Sequence, residues 1–327
     1  MIKNVVTTNW DDFFERECDF DAFVNDSDMA LWEASDRRLM KIHGSIRNLG
    51  SIVATHKDYK NSLRRLNYGP MGAQLKALLT QKTFIYTGYS LSDENYRQII
   101  GTIARMTRPH TKHSYFVSPN IDRTKIEKLP IPLIPIETDG AYFFEQIRLH
   151  LEHLSRLVPE RAFEACENIL VRIRDEHIRT ADAFLNTRHP LLIFTLSYQD
   201  GLIHGLQRII DRRKIGEYHC FGHLQNLVRG YDQKTVNYKR KRDFWNSYYS
   251  EGYGDAILLL LIASSEKKLK GPPIFGHHGN IDFGSLSSIL RFPRRLINKS
   301  HLLVAKRIIR RLSGGAQFLI PDHMPYV

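Results

Sequence analysis

Between residues 4 and 154 short β-branched and aromatic runs alternate with stretches of helical periodicity, and this alternation limits the possible folds more than any other feature of the chain. Residues 5–9 (VVTTN), 39–45 (LMKIHGS), 83–89 (TFIYTGY), 113–117 (HSYFV) and 131–136 (IPLIPI) read as strands. Helices are expected over 13–24, over 73–79, from Ser90 through Ile99, Ile100, Ile103 and Met106, and from Asp139 to about residue 154. The prolines of IPLIPI place that strand at an edge or make it irregular. Strands alternating with helices imply parallel pairing, so residues 1–156 are predicted to form an α/β, Rossmann-like domain.

Beyond residue 156 helical periodicity takes over, across 163–184, 201–213, 224–229, 256–268 and 302–312. Residues 157–327 are therefore expected to be mainly α-helical, with Pro159 interrupting at the boundary. Charge divides the same way. Residues 1–150 hold 20 Lys and Arg against 18 Asp and Glu, and residues 151–327 hold 27 against 17. The basic second half would attract a polyanion or an acidic partner, nucleic acid being the weaker expectation. No apolar run approaches about 18 residues, so no membrane span is expected. Cys18, Cys166 and Cys220 stand singly, with neither a disulfide framework nor a paired-cysteine metal knuckle. With no leader-like pattern at the start, a reducing cytoplasmic setting is the simplest expectation.

Four polar turns follow predicted strands, where ligands gather in open α/β sheets. In TTNWDD (7–12), Thr8, Asn9 and Asp11 follow the first strand. Asn9 can orient a water or a sugar hydroxyl, although helix capping alone would explain an Asn here. In KIHGS (41–45), His43 is suited to taking a proton from a ribose hydroxyl, while a lone histidine is more often structural. In YTGYSLSD (86–93), Gly88, Tyr89 and Ser90 precede a helix whose free amides suit a phosphate. In YFVSPN (115–120), Asn120 can bond a ribose.

The order of these turns resembles the sirtuin-like family, and most of all its bacterial, defence-associated branch that cleaves NAD. The resemblance covers about residues 4–150 and extends to KIHGSIRNLGSIVATHKDY and ALLTQKTFIYTGYSLSDENYRQII. It implies a partial sirtuin-type parallel sheet with NAD as substrate. Asn9 and His43 match the family's catalytic asparagine and histidine, and Thr8 and Asp11 belong to the same motif as Asn9. Gly88, Tyr89 and Ser90 match the dinucleotide-binding turn, with Tyr89 where deacetylases of the family carry a threonine. Asn120 matches a residue near the adenine-side ribose. The function implied is an NAD+ hydrolase that cleaves the nicotinamide–ribose bond in anti-phage defence.

Two departures qualify the resemblance. The scattered cysteines cannot form the four-cysteine zinc module of the deacetylases, so no zinc is expected and a protein deacylase is disfavoured. The glycine-rich turn that opens the family's fold has no counterpart before Val5, and no Gly-x-Gly occurs in the first half. The 327 residues alone are therefore expected not to hydrolyse NAD+. Robust nicotinamide release by the purified chain would overturn that expectation. The alternative is a non-catalytic interaction or sensor protein built on a remnant NAD-binding fold.

In the second half, HCFGH (219–223) places His219, Cys220 and His223 close together, with His277 and His278 later. On a helix His219 and His223 would be one turn apart, a spacing metal ligands use, although no second close pair of acidic or cysteine ligands accompanies them and Gly222 disfavours a helix. YKRKRDFWNSYYS (238–250) reads as one helix with aromatics inward and charges outward, or else as a nucleic-acid surface. The resemblance implies that this half senses a phage protein or drives assembly with a partner subunit, and exposed sheet edges with a basic helical half make homo-oligomerisation the expectation.

Overall fold

A computed structural model describes residues 2–90, 97–101, 104, 112–265, 274–278, 281–312 and 323. The chain forms two compact units, Met1–His150 and Leu151–Val327.

Unit 1 is an α/β structure with every strand pair parallel. Its first sheet contains β1 (Asn4–Thr7), β2 (Asp21–Phe23) and β3 (Arg38–Lys41) in the order β1-β3-β2. Thr7 pairs with Lys41, and Phe23 with Met40. The second sheet contains β4 (Ile85–Thr87), β5 (Ser114–Ser118) and β6 (Leu133–Glu137) in that order. The proline-bearing strand is regular and at an edge, the first of the two outcomes its prolines allow. The accompanying helices are α1 (Phe13–Cys18), α2 (His56–Tyr68), α3 (Pro70–Gln81), α4 (Arg123–Glu127) and α5 (Gly140–His153). Asp139 opens α5 by accepting the Tyr142 amide at 2.9 Å.

The elements differ from the expected ones at the first helix and at α2. The helix expected over 13–24 ends at Cys18, where Asp19 turns left-handed at φ 54°. Residues 21–23 instead pair with β3, because Phe23 gains a buried edge-on contact with Trp32, ring centroids 4.8 Å apart. Helix α2 has no counterpart among the expected helices, because its polar sequence buries only Ser62 and Leu66. The capping-box helix expected after Ser90 relies on Asp93, Ile103 and Met106, which lie outside the described residues.

Two apolar cores support this unit. One gathers Phe23, Trp32, Met40, Ile42, Leu66 and Met71 under the first sheet. The other gathers Tyr86, Ile100, Phe116 and Ile126 under the second, and Leu79 and Phe84 touch both. Each fully buried side chain of this size contributes about 1.5–3 kcal/mol by leaving water.

Unit 2 is mainly helical: α6 (Glu160–Thr187), α7 (Pro190–Asp211), α8 (Phe221–Arg240), α9 (Phe244–Ser265), a short β7–β8 hairpin (His277–His278 with Ile281–Asp282), α10 (Leu286–Arg291) and α11 (Lys299–Leu312). The central helices α7 and α9 touch backbone to backbone. A Cβ on Gly201 would lie 2.1 Å from Tyr249 O, and one on Gly252 would lie 2.0 Å from Tyr198 O. Only glycine fits on either side of that crossing. No helix among the described residues is long and apolar enough to cross a membrane.

Two expectations for this unit change. His219 precedes α8 and packs on Phe163 at 4.6 Å, so the helical one-turn relation to His223 does not arise. The single helix expected over 238–250 is two, because α8 stops at Arg240 and Arg242 turns left-handed at φ 57°. The inward aromatics are as expected: Phe244, Tyr248 and Tyr249 are buried, while Arg240 and Lys241 are exposed.

Candidate active site at the carboxyl ends of the parallel sheets

The register of the first sheet brings two of the predicted residues to one edge. Thr7 and Lys41 are the last partners of β1 and β3, and Asn9 and His43 each stand two residues beyond. The pairing is extended by the Ile42 amide, which donates to Thr7 O at 3.1 Å, and by the Ile46 amide, which donates to Trp10 O at 2.9 Å. Asn9 is exposed, and its amide donates to Thr7 Oγ1 at 3.0 Å. It is not the cap of α1, which begins four residues later. The half-buried Thr8 lies between them on the same turn.

His43 is buried, and its ring meets Tyr59 of α2 edge-on at 5.3 Å. Its carbonyl accepts the Val53 amide at 3.0 Å. The chain leaves His43 through Gly44 at φ 92°, where a Cβ would lie 2.3 Å from Ser51 O. A side chain at position 44 would have to displace backbone, so the His43 turn has one shape.

Two cations that the sequence did not single out hold this edge. Lys41 is fully buried. Its Nζ donates to Trp10 O at 3.3 Å, to Asp11 O, and to Glu15 Oε1 at 2.9 Å. One ammonium thus fixes the turn that carries Asn9 to the strand that carries His43. Arg65 of α2 donates to Val24 O at 3.2 Å and to Ile42 O at 3.1 Å, just past the ends of β2 and β3. The signal for Lys41 was in plain view as a charge closing an otherwise apolar strand, LMK. Arg65 left no comparable trace.

Asp11 plays a local part, with Oδ1 accepting the Phe13 amide at 3.2 Å. Asp12 accepts from Arg47 Nε and Nη2, both at 3.1 Å. Desolvation works to raise the Asp12 carboxyl, but the Arg47 hydrogen bond and the charges of Arg16 and Arg47 hold it below its ordinary range. A cleft of about 400 Å³ opens beside this ion pair, lined by Glu15, Asp21, Ser45 and Arg47 among others but not by Asn9 or His43.

The remaining predicted residues gather at the carboxyl end of the second sheet. Gly88 follows β4 directly, exposed and left-handed at φ 61°. Tyr89 stacks on Tyr86 at 6.4 Å, and Ser90 is exposed. Asn120 follows the neighbouring β5, in a turn closed by Ser118 Oγ, which donates to Asn120 O at 3.0 Å and accepts its amide at 3.3 Å. The predicted residues therefore form two groups, Thr8, Asn9, Asp11 and His43 on one sheet and Gly88, Tyr89, Ser90 and Asn120 on the other. No group of three or more His, Cys, Asp or Glu that could hold a metal occurs among the described residues.

Parallel strands flanked by helices, with polar turns collected at their carboxyl ends, define a Rossmann-like architecture of the ligand-binding kind. The family model described as the SIR2-like domain matches residues 3–132, so that stretch is similar to the sirtuin-like family. The chain is similar to Defense-associated sirtuin 2 of Bacillus subtilis, with 21% identity over 73% of this chain and 23% of that protein. It is also similar to the NAD(+) hydrolase ThsA of Cytobacillus dafuensis, with 21% identity over 80% of this chain and 59% of that protein. The NAD(+) hydrolase ThsA of Enterococcus faecium is 26% identical over 47% of this chain and 31% of its own length. The chain thus spans between about a quarter and three-fifths of the length of these relatives.

Proposed function

We propose that unit 1 is the catalytic part of an NAD+ hydrolase acting in anti-phage defence, with Asn9 and His43 as its catalytic residues. The observation that carries this reading is the placement of both residues two positions past the paired ends of adjacent parallel strands. The similarity to two proteins named NAD(+) hydrolase and one named defence-associated sirtuin supports the choice of substrate and setting.

The chemistry suits this equipment. The nicotinamide of NAD+ is already cationic, so the bond from ribose C1′ to its nitrogen breaks with the electron pair going to the ring, and no acid is needed. Positive charge develops on the ribose as in glycoside cleavage. Water then adds to C1′, and its proton passes to His43. Asn9 orients the water and the nicotinamide-side ribose, donating through its amide and accepting through its carbonyl. Gly88, Tyr89 and Ser90 would take the dinucleotide backbone, and Asn120 the adenine-side ribose. Unit 2 is assigned to sensing or assembly.

The test is NAD+ content during phage infection of cells that express the protein from its own locus. Wild type is expected to deplete NAD+ and release nicotinamide. Replacing His43 or Asn9 with Ala should slow depletion by roughly 100-fold or more, the usual range for loss of a positioned base. Depletion unchanged in both variants would refute the site assignment, and no depletion in wild type would refute the function.

A further inference from the structure

From Phe283 to Leu312 the chain has eight Lys and Arg and no Asp or Glu. The densest part of this stretch is α11. Lys299, Lys306, Arg307, Arg310 and Arg311 are all exposed, and none forms an ion pair among the described residues. At about 100° per residue these five fall within an arc of about 140° and extend about 18 Å along the helix. Arg291, Arg294 and Arg295 continue the basic run through α10 and the turn that follows, also exposed. Among the described residues the field is therefore uncompensated, and it is fixed to a rigid element.

We propose that this face of α11 binds the phosphate backbone of duplex DNA, without reading its sequence. The opposite face of the helix argues against the commonest other use of a basic amphipathic helix, lying in a lipid interface, although Leu303 stands exposed among the cations. Ala305 is fully buried, and Leu302, Val304, Ile308 and Ile309 pack on the core of unit 2, so the apolar side is already occupied. Arginine predominates on the surface, and its planar fork matches a phosphate in two places at once. Single strands are usually held by stacking on exposed aromatics. Here the nearby rings are committed inward, His301 on Phe244 at 3.8 Å and Phe292 on Phe283 at 5.4 Å. Cations without stacking rings suit a duplex, where charge repeats about every 1.7 Å of axis.

The experiment measures fluorescence anisotropy of a labelled 24-base-pair duplex against the full chain between 50 and 200 mM salt. If about four phosphates are engaged, affinity should fall about 150-fold over that range. AT-rich and GC-rich duplexes should bind alike. The variant with Lys306, Arg307, Arg310 and Arg311 all changed to Gln should bind more weakly and lose most of the salt dependence. Circular dichroism and thermal unfolding matched to wild type will show that it folds. Three results would overturn the proposal: no binding at 50 mM salt, an unchanged slope in the folded variant, or preferential binding of a poly-glutamate peptide, which would make this an acidic-protein surface. The readout is binding rather than turnover, so its failure is separate from any failure of the NAD+ reading.

Discussion

Replacing Lys41 with Met tests whether the candidate site depends on one buried charge. The ammonium is fully buried and bonds two carbonyls of the Asn9 turn together with Glu15, whose side chain is 6% exposed. Met preserves the stem but removes the donor, leaving the Glu15 carboxylate buried beside no cation. Breaking a buried pair in this way costs about 3–5 kcal/mol. The double variant Lys41→Met with Glu15→Leu removes the stranded charge too, so it should be more stable than the single one, by roughly 2 kcal/mol. Urea unfolding followed by tryptophan fluorescence would measure both, in a Trp245→Phe background that confines the signal to Trp10 and Trp32 of unit 1. Hydrogen exchange at the Ile46 amide, which bonds Trp10 O, should accelerate in the single variant. A loss below about 1 kcal/mol, or a double variant no better than the single, would refute the claim that this ammonium holds the turn.

Gly44→Ala should destabilise unit 1 by roughly 1–3 kcal/mol and reduce NAD+ depletion along with it, because the new methyl meets Ser51 O in a left-handed turn. An unchanged urea midpoint would count against the single-shape turn. Gly252→Ala should lower the melting temperature of the protein, at a cost of about 1–3 kcal/mol or more, since α7 and α9 cannot separate without opening their shared core. In unit 2, burial and the nearby Lys239 push His301 down to about 4, and burial with His204 pushes His323 down to about 4. Both are neutral when folded and take up protons more readily when unfolded. Stability should therefore be complete above about pH 6.5 and decline as pH falls toward 4. Changing His301 to Phe, which keeps the stack on Phe244, should flatten part of that decline in an acid titration of thermal stability.

The parallel α/β first half and the helical second half were legible because period and composition change together near Pro159. Asn9 and His43 were legible as an ordered pair of turns, and register explains why: equal offsets past Thr7 and Lys41 convert a separation of 34 residues into a shared edge. Strand β2 was not legible, since three residues cannot display an alternation and its stability comes from Phe23 reaching Trp32. Nor was the break at Arg242, where a charged residue adopts a glycine-like conformation between an amphipathic helix and one that is buried on nearly every side. The roles of Lys41 and Arg65 depend on carbonyls that come near only after folding.

The guanidinium of Arg65 has an electrostatic effect as well as a structural one. Bare carbonyls at the carboxyl end of a parallel sheet present partial negative charge, an unwelcoming surface for a pyrophosphate. With Val24 O and Ile42 O both engaged by one permanent cation, that end of the sheet carries a built-in counter-charge immediately before His43. A polyanionic substrate could then approach without first being screened by a mobile ion.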